Sequence, residues 1–479
     1  MKRALSVVIL SLVLLSAPIA PATAVAGAPS AGGDAATDEG RATTDSVAAA
    51  SASVTVTRGG PKTVRYDVAL ANLSGTDRLW VVVGGAEVRD ATGLERTGGG
   101  DRTRLRWTGA DDASFTLAVS VDAGESRHPE RAASDAWAFG PVPFVEVQRE
   151  VDGSVARSWP LTGDSVAGDR RFDGDRHAMG DRYALVGAHG VRTATVPGQQ
   201  VRLVVPAGVE STVDARAVLD TLAEAAREFD VGDRDERVLA FAAPDPVRDG
   251  GESVPARDEF WVAADTSLDS PENVWIHEYV HTRQSFSLAP EMRWFREASA
   301  EYYAARLSYE QGRVSRSAMR DSFGGSASGA VLTDPATWPD RQTPLEKGAR
   351  ALAVLDRKIR DASLGHRSLE DVFRRLNAHD GAVTYAVFAR SVAAVAGQSM
   401  DGWLDRYVAG DATVTDDYRR SALAAGLPAL DRLGATSGAA FFVVALGLSL
   451  LASGPLYAAL RRLDRRDRAS SVREKRPLG

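Results

Sequence analysis

The chain has 479 residues, 44% of them hydrophobic and 25% charged, which is an ordinary globular composition with room for two or three domains. It contains no cysteine, which excludes disulfide bonds and thiolate metal ligands. The formal net charge is −7, but a tail with a net charge of +5 (residues Arg461 to Arg476) and Lys2 and Arg3 leave about −14 on the body. This acidic body, in a chain with only five lysines, argues against nucleic-acid binding and is typical of proteins from salt-loving archaea.

The first fifty residues have the composition of an export signal and a linker. Residues 1–24 are predicted to be a secretory signal, with Lys2 and Arg3 before an apolar run and Ala22-Thr23-Ala24 as the cleavage site. An uncleaved amino-terminal anchor is the alternative. Residues 25–50, rich in Ala, Gly, Asp and Thr, are expected to form a flexible linker.

Residues 51–209 have the pattern of an antiparallel β domain. Short runs alternate between apolar and polar residues, as from Thr63 to Leu70, and glycine pairs such as Gly59-Gly60 interrupt them. We expect a β-sandwich or a saddle-shaped sheet here.

A histidine motif that can bind a metal ion follows residues typical of a helix start. Ser270 is expected to cap the helix, with Pro271 at its first position. His277 and His281 are one helical turn apart and share a face, so their imidazoles can bind one metal ion. Glu278 is adjacent to the first ligand and is placed to take a proton from a metal-bound water.

A second helix offers the third ligand that a catalytic zinc site requires. Glu297 and Glu301 are one turn apart on it. We assign Glu297 as the ligand and Glu301 as an acceptor that orients a zinc-bound imidazole, with the reverse assignment as the alternative. A structural histidine pair without metal is the competing interpretation of the whole motif.

The two segments 277–282 and 294–303, His-Glu-Tyr-Val-His-Thr and Trp-Phe-Arg-Glu-Ala-Ser-Ala-Glu-Tyr-Tyr, resemble the glycyl aminopeptidase family of zinc metallopeptidases. More distantly they resemble the aminopeptidase N family, and the resemblance implies the thermolysin-like fold of both. It also implies that Glu297 is the third zinc ligand. The chain departs from the family pattern at Ala298, where the family has Gly.

The region 210–430 is predicted to be the metallopeptidase-like domain. Helical periodicity runs from Val213 to Phe229 and recurs after Gly312. Strands are expected at Arg237 to Ala242 and Phe260 to Ala263. The later predicted helices are Leu345 to Arg360, Leu369 to Asn377, Tyr385 to Ala396 and Met400 to Val408.

Two further residues are candidates for substrate contacts. Glu252, in a Gly-rich stretch before the zinc helix, resembles the carboxylate that holds the substrate's free amine in thermolysin-like aminopeptidases; an ordinary exposed turn is the alternative. The family's oxyanion-stabilising Tyr position is occupied by Leu345. Tyr385, Tyr302 and Tyr303 are the hydroxyls that could replace it.

The carboxy-terminal region has the pattern of a membrane anchor. Residues 436–460 contain no charged side chain and are long enough to cross a bilayer, and the basic residues of 461–479 predict a cytoplasmic tail. A buried core helix is the alternative. The predicted location is the cell membrane, with a single span and the catalytic body outside the cytoplasm.

These patterns predict an α+β protein with an amino-terminal antiparallel β-sandwich or saddle, a thermolysin-like, mainly helical catalytic domain and one carboxy-terminal transmembrane helix. The expected function is a zinc peptidase with one Zn²⁺ that acts on a peptide or protein, with aminopeptidase activity as the narrower expectation. A catalytically weakened peptide-binding relative that retains zinc, and a surface binding protein without metal, are the alternatives.

Overall fold

The structure is a computed structural model that describes residues 49–122, 124, 130–162, 177–232, 234–253, 258–323 and 329–414. The strands that precede the first helix are Ser51–Gly60 (β1), Thr63–Ala71 (β2), Arg78–Gly84 (β3), Glu87–Thr92 (β4), Leu94–Gly98 (β5), Arg102–Trp107 (β6), Ala113–Ser120 (β7), Ala132–Ala133 (β8), Trp137–Pro141 (β9), Phe144–Val151 (β10), Ser154–Ser158 (β11), His177–Met179 (β12), Tyr183–Gly187 (β13), His189–Val196 (β14) and Gln199–Pro206 (β15).

Helices predominate in the part of the chain that follows. Its elements are Ala215–Glu228 (α1), Arg237–Ala243 (β16), Gly251–Ser253 (β17), Glu259–Ala263 (β18), Val274–Thr282 (α2), Ser287–Leu288 (β19), Trp294–Glu310 (α3), Arg316–Ser322 (α4), Ala349–Ala362 (α5), Leu369–Asn377 (α6), Ala382–Val383 (β20), Tyr385–Ala396 (α7) and Asp401–Tyr407 (α8). Short 3₁₀ turns lie at Pro290–Met292 and Pro335–Thr337, and a π-helical turn lies at Pro344–Gly348.

Two antiparallel sheets form the amino-terminal part, with strand orders β1-β2-β7-β4 and β11-β10-β3-β6-β5. Their alternating apolar side chains share one core, in which Tyr66, Val68, Val81 and Leu117 are almost completely buried. Alternation with period two sends these side chains to the inner face and their polar neighbours outward.

A third antiparallel sheet, β12-β13-β9-β8, separates two hydrophobic cores. Ala138 and Val186 belong to the core of the first two sheets, whereas Phe139 and Leu185 belong to a larger core that includes the helices. Because neighbouring residues of a strand point to opposite faces, both faces of this sheet are apolar and buried.

A fourth, mixed sheet with the order β14-β15-β16-β18-β17 lies at the centre of the helical part. Strand β16 is parallel to both β15 and β18, and α1 makes the crossover from β15 to β16. Strands β16 and β18 are continuous buried apolar runs, as expected for strands covered on both faces. The edge strand β17 is antiparallel to β18.

The predicted fold class is wrong. The region expected to be a thermolysin-like, mainly helical domain is built around this mixed sheet, and two of its strands, β14 and β15, come from residues assigned to the β domain. Local periodicity identifies a strand but not its partner, so the pairing of β15 with β16 across α1 was not visible in the pattern.

The transmembrane helix of the predicted architecture has no counterpart in the described part of the chain, where no helix combines the length and the apolar character that crossing a bilayer requires. The predicted span at 436–460, the tail at 461–479 and the signal at 1–24 all lie outside the described residues, as does the linker up to residue 48.

Candidate metal centre

Helix α2 carries the histidine motif and is buried along its whole length. Asn273 caps it, with Oδ1 accepting from the Ile276 amide at 3.2 Å and Nδ2 donating to the Leu268 carbonyl at 2.8 Å. The expected cap, Ser270, instead accepts from the amide of Glu272 within the preceding turn, so that assignment was wrong by three residues. Burial on all sides leaves α2 no freedom to rotate, which fixes the direction of its polar side chains.

His277 and His281, from α2, meet Glu297, from the first turn of α3, at one point. The two Nε2 atoms are 3.2 Å apart, and they lie 3.5 Å (His277) and 3.6 Å (His281) from Glu297 Oε2. Both nitrogen–oxygen separations exceed the usual range for a hydrogen bond. The three predicted ligands therefore converge as expected from their spacing along two adjacent helices.

The triangle formed by these three atoms has the size that a zinc ion requires. The circle through them has a radius of about 2.0 Å, so an ion slightly above their plane is 2.0–2.1 Å from each atom, the usual zinc–nitrogen and zinc–oxygen distance. Two imidazoles and one carboxylate, with a fourth position left for water, form the donor set of a catalytic zinc site.

Each imidazole is oriented through its other nitrogen. His277 Nδ1 lies 3.4 Å from Glu301 Oε2, and His281 Nδ1 lies 3.0 Å from Gln284 Oε1. The 3.0 Å contact is a hydrogen bond in which Gln284 Oε1 accepts, and it favours the His281 tautomer whose Nε2 lone pair faces the triangle. At 3.4 Å, the contact of His277 Nδ1 with Glu301 Oε2 is a longer electrostatic one. Glu301 thus lies beside His277, and its role as the acceptor that orients a zinc-bound imidazole stays a prediction.

Sequence reasoning did not identify Gln284. Its Nε2 donates to the Arg296 carbonyl at 2.9 Å and to Ser299 Oγ at 3.0 Å, while its Oε1 faces His281 and also accepts from Arg296 Nη1 at 3.3 Å. The side chain is fully buried and joins the end of α2 to the first turns of α3. The available signal was its position three residues after His281, which places it near that imidazole when the chain continues in a helical turn.

The charges of the cluster reinforce one another. Burial disfavours ionisation of Glu297, but His281 and His277 outweigh it and hold the pKa of this carboxyl well below its usual range. Burial also opposes protonation of His277, yet Glu297 and Glu301 raise its pKa to about 10. Two carboxylates around the imidazoles therefore create a strongly cation-attracting site.

Glu278 lies beside the cluster in contact with the edge of the mixed sheet. Its side chain is fully buried, and burial raises the pKa of its carboxyl. A Cβ atom on Gly251 of β17 would lie 2.7 Å from Glu278 Cγ and 2.9 Å from Oε1. Only glycine at position 251 therefore allows β17 to approach Glu278 this closely.

Two of the three tyrosines that could replace the missing oxyanion donor have engaged hydroxyls. Tyr385 donates to Asp405 Oδ1 at 3.0 Å, and Tyr302 donates to Asp356 Oδ2 at 2.7 Å. Both hydroxyls are therefore already hydrogen-bonded to aspartate side chains.

Tyr303, the third candidate, packs its ring in the aromatic core, 4.4 Å from the ring of Phe229. Leu345 itself lies in the π-helical turn. This turn packs closely against α3: a Cβ atom added to Gly348 would lie 2.6 Å from Ala298 Cβ.

Glu252, the candidate for the substrate amine, is on β17 and is buried rather than exposed in a turn. Its Oε2 is 2.8 Å from Arg248 Nη2 and its Oε1 is 3.7 Å from Arg182 Nη2. Both oxygens of this carboxylate therefore face a guanidinium group of the protein.

Comparison with known proteins gives no family for the chain. No family model and no curated protein match it. The similar solved structures include the chitin-binding domain of a chitinase from Pyrococcus furiosus, with 21% identity, a TM-score of 0.15, and coverage of 22% of this chain and 98% of that one.

Another is a GH20 exo-β-N-acetylglucosaminidase from Vibrio harveyi, with 10% identity, a TM-score of 0.16, and coverage of 50% of this chain and 37% of that one. TM-scores this low support no inference about activity.

Proposed function

We propose that the protein is a zinc-dependent peptidase in which His277, His281 and Glu297 hold one Zn²⁺ and Glu278 is the general base. The observation that carries this proposal is the triangle of ligand atoms, whose three edges of 3.2, 3.5 and 3.6 Å match those of a tetrahedral zinc site. The resemblance of both motif segments to the glycyl aminopeptidase family supports the same assignment.

Zinc, when bound, supplies a Lewis acid for the scissile carbonyl and lowers the pKa of its water to about 7. With zinc in place, Glu278 would act as the proton carrier, taking a proton from the attacking water and giving it to the leaving amine. Its buried position excludes bulk water from this transfer. Glu301 and Gln284 keep the imidazoles aligned throughout.

The edge strand β17 supports a peptide as the substrate. It pairs only with β18 among the described strands, so its other edge has no strand partner there, and the Gly251 carbonyl accepts from Arg248 Nη1 at 3.3 Å. An extended peptide can add to this edge as a further strand through main-chain hydrogen bonds. Since Gly251 contacts Glu278, a peptide on this edge passes beside the general base.

A peptide-binding protein that retains zinc but has weak catalysis is the second candidate. Leu345 stands where the resembled family has its oxyanion Tyr, and the hydroxyls of Tyr302 and Tyr385 are engaged by aspartates. Loss of one oxyanion donor lowers turnover by about 10²- to 10³-fold in other enzymes. Leu345→Tyr is therefore expected to raise turnover by at least about tenfold, and unchanged turnover would remove the reason for this second candidate.

The test is the zinc content and peptide turnover of the full chain, with Glu278→Gln as the matched variant. The peptidase proposal predicts one zinc per chain in both proteins and turnover only in the wild type. Zinc in both without turnover indicates the weakened binder. If neither protein binds zinc and Glu278→Gln does not differ from the wild type in peptide turnover, the proposal is contradicted. A surface binding protein without metal is then the remaining interpretation.

A further inference from the structure

A buried ion pair, Arg248 with Glu252, and the half-buried Arg182 lie next to the candidate site but take no part in the proposed zinc chemistry. Arg182, Arg248 and Glu252 form the centre of this charged group, with side-chain exposures of 34%, 4% and 7%. Buried ion pairs are costly to assemble, and removing one partner leaves an uncompensated charge. Glu252 without Arg248 would therefore be an uncompensated buried charge.

Arg248 is held by three contacts. Besides the 2.8 Å ion pair to Glu252, its Nη1 donates to the Gly251 carbonyl at 3.3 Å, and its guanidinium lies 4.8 Å from the centre of the Trp261 ring. These contacts come from β17 and its neighbour β18, so Arg248 cannot leave Glu252 without disturbing the edge of the sheet.

Glu252 also lies on the wrong face of β17 for the zinc cluster. Gly251 faces Glu278, and consecutive residues of a strand point to opposite faces. Glu252 is directly opposite Trp261 in the strand pairing, and the ring of Tyr183 packs on Trp261 on this face. On the other face, Phe260 packs against Trp275 of α2. The carboxylate that would hold a substrate amine is therefore turned away from α2.

The group has no net negative charge to attract an ammonium ion. The two positive charges of Arg182 and Arg248 balance the carboxyls of Glu252 and its neighbour Glu130. Burial is the main cause that raises the pKa of Glu130, and the charge of Glu252 raises it further. The total charge of the group is zero when Glu130 is ionised and positive when Glu130 is protonated. A substrate amine would have to displace a guanidinium group to reach Glu252.

Among the described residues, three carboxylates at the zinc cluster itself have roles in the proposed zinc chemistry. Glu297 is a metal ligand, Glu301 faces His277 Nδ1, and Glu278 is the base. From these observations we infer that the protein does not hold the free amino terminus of its substrate through Glu252 and cleaves internal bonds of extended peptides, including peptides with a blocked amino terminus. This inference rests on the proposed peptidase function and specifies its substrate class.

The experiment compares a degenerate decapeptide library with a free amino terminus and the same library with an acetylated amino terminus. Initial rates and cleavage positions are measured by mass spectrometry with the zinc-loaded full chain. The expected result is hydrolysis of both libraries at rates within threefold, at bonds away from the amino end. A preference for the free amine above threefold, or release of single amino-terminal residues, overturns the inference.

A second measurement separates failure of the inference from failure of the peptidase proposal. Equilibrium binding of both libraries to Glu278→Gln is expected to give affinities within threefold of each other. If nothing is hydrolysed but both libraries bind equally, the peptidase proposal fails, and with it the cleavage of internal bonds, whereas the part of the inference that concerns the amino terminus is supported. Binding of the free-amine library alone overturns the inference, and no binding together with no hydrolysis overturns both.

Glu252→Gln provides a direct check, because it preserves the shape of the side chain and removes its charge. We expect the ratio of free-amine to acetylated rates to stay within threefold of the wild-type ratio. A wild-type preference for free amines that disappears in this variant would identify Glu252 as an amine ligand and contradict the inference. The wild-type comparison remains decisive if this variant does not fold.

Discussion

Replacement of Gln284 by Met tests whether the amide behind His281 tunes the metal site. Methionine fills nearly the same volume but cannot accept the His281 Nδ1–H, a contact of 3.0 Å, nor donate to Arg296 and Ser299. Loss of such an outer partner typically weakens metal affinity by about 10- to 100-fold, or roughly 1.4 to 2.7 kcal/mol. We expect a loss of zinc affinity within this range.

The assay is competition for zinc against a chromogenic chelator, carried out on the full chain at a temperature where circular dichroism shows every variant to be folded. Gln311→Met is the matched control, because Gln311 donates to the Thr221 carbonyl at 3.1 Å at the carboxyl end of α3. Zinc affinity of Gln284→Met within threefold of the control would refute the proposed role of this amide. An equal loss of zinc affinity in Gln284→Met and Gln311→Met would mean that the assay reports only a general destabilisation of the fold.

Two glycine substitutions test close approaches in the fold. Gly251→Ala places a Cβ 2.7 Å from Glu278 Cγ, so we expect zinc to be retained while turnover falls by about a hundredfold; wild-type turnover would contradict the proposed position of the base beside β17. Gly180→Ala places a Cβ 1.5 Å from Glu259 Oε2. We therefore expect the free energy of unfolding, measured with urea, to fall by an amount on the order of 3 kcal/mol. Gly190→Ala, where nothing lies within 4 Å, is the control for Gly180→Ala, and equal stability of the two variants would contradict this expectation.

The reason for the large expected effect at Gly180 is a buried carboxylate. Glu259 is fully buried on β18 and accepts from the backbone amides of Asp181, Arg182 and Tyr183. These bonds join the mixed sheet to the hairpin between β12 and β13. Burial raises the pKa of Glu259 to about 8, so the cost of displacing this carboxyl group comes from three buried amides left without their acceptor.

Local signals predicted the later helices well. The predicted range Leu369 to Asn377 coincides with α6, which has a capping box between Ser368 and Asp371. The predicted range Tyr385 to Ala396 coincides with α7, which begins after the Thr384 cap and ends at Gly397 in the left-handed region. Capping residues act on neighbouring backbone groups, so their effect can be inferred from adjacent sequence.

The helix start at α2 shows where local signals fail. Ser270 and Pro271 form a plausible start, but the chain makes a separate turn there and Asn273 caps the helix. Asn273 is favoured because its amide also donates to the Leu268 carbonyl, a contact that requires the folded turn. Two competing caps three residues apart cannot be distinguished by propensity alone.

The convergence of His277, His281 and Glu297 was predictable because it needs only helical spacing and two adjacent helices. The role of Gln284 depends on where the Arg296 carbonyl lies, and the engagement of Glu252 depends on Arg248 and the strand pairing. Long-range contacts of this kind are set by the tertiary structure.

X-ray absorption at the zinc edge of the purified full chain tests the central claim most directly. The account predicts one zinc per chain with two imidazole nitrogens and carboxylate or water oxygens at about 2.0–2.1 Å, and loss of the bound ion in His281→Ala. A chain that binds no zinc when zinc is supplied, or whose zinc lacks imidazole ligands, would contradict it.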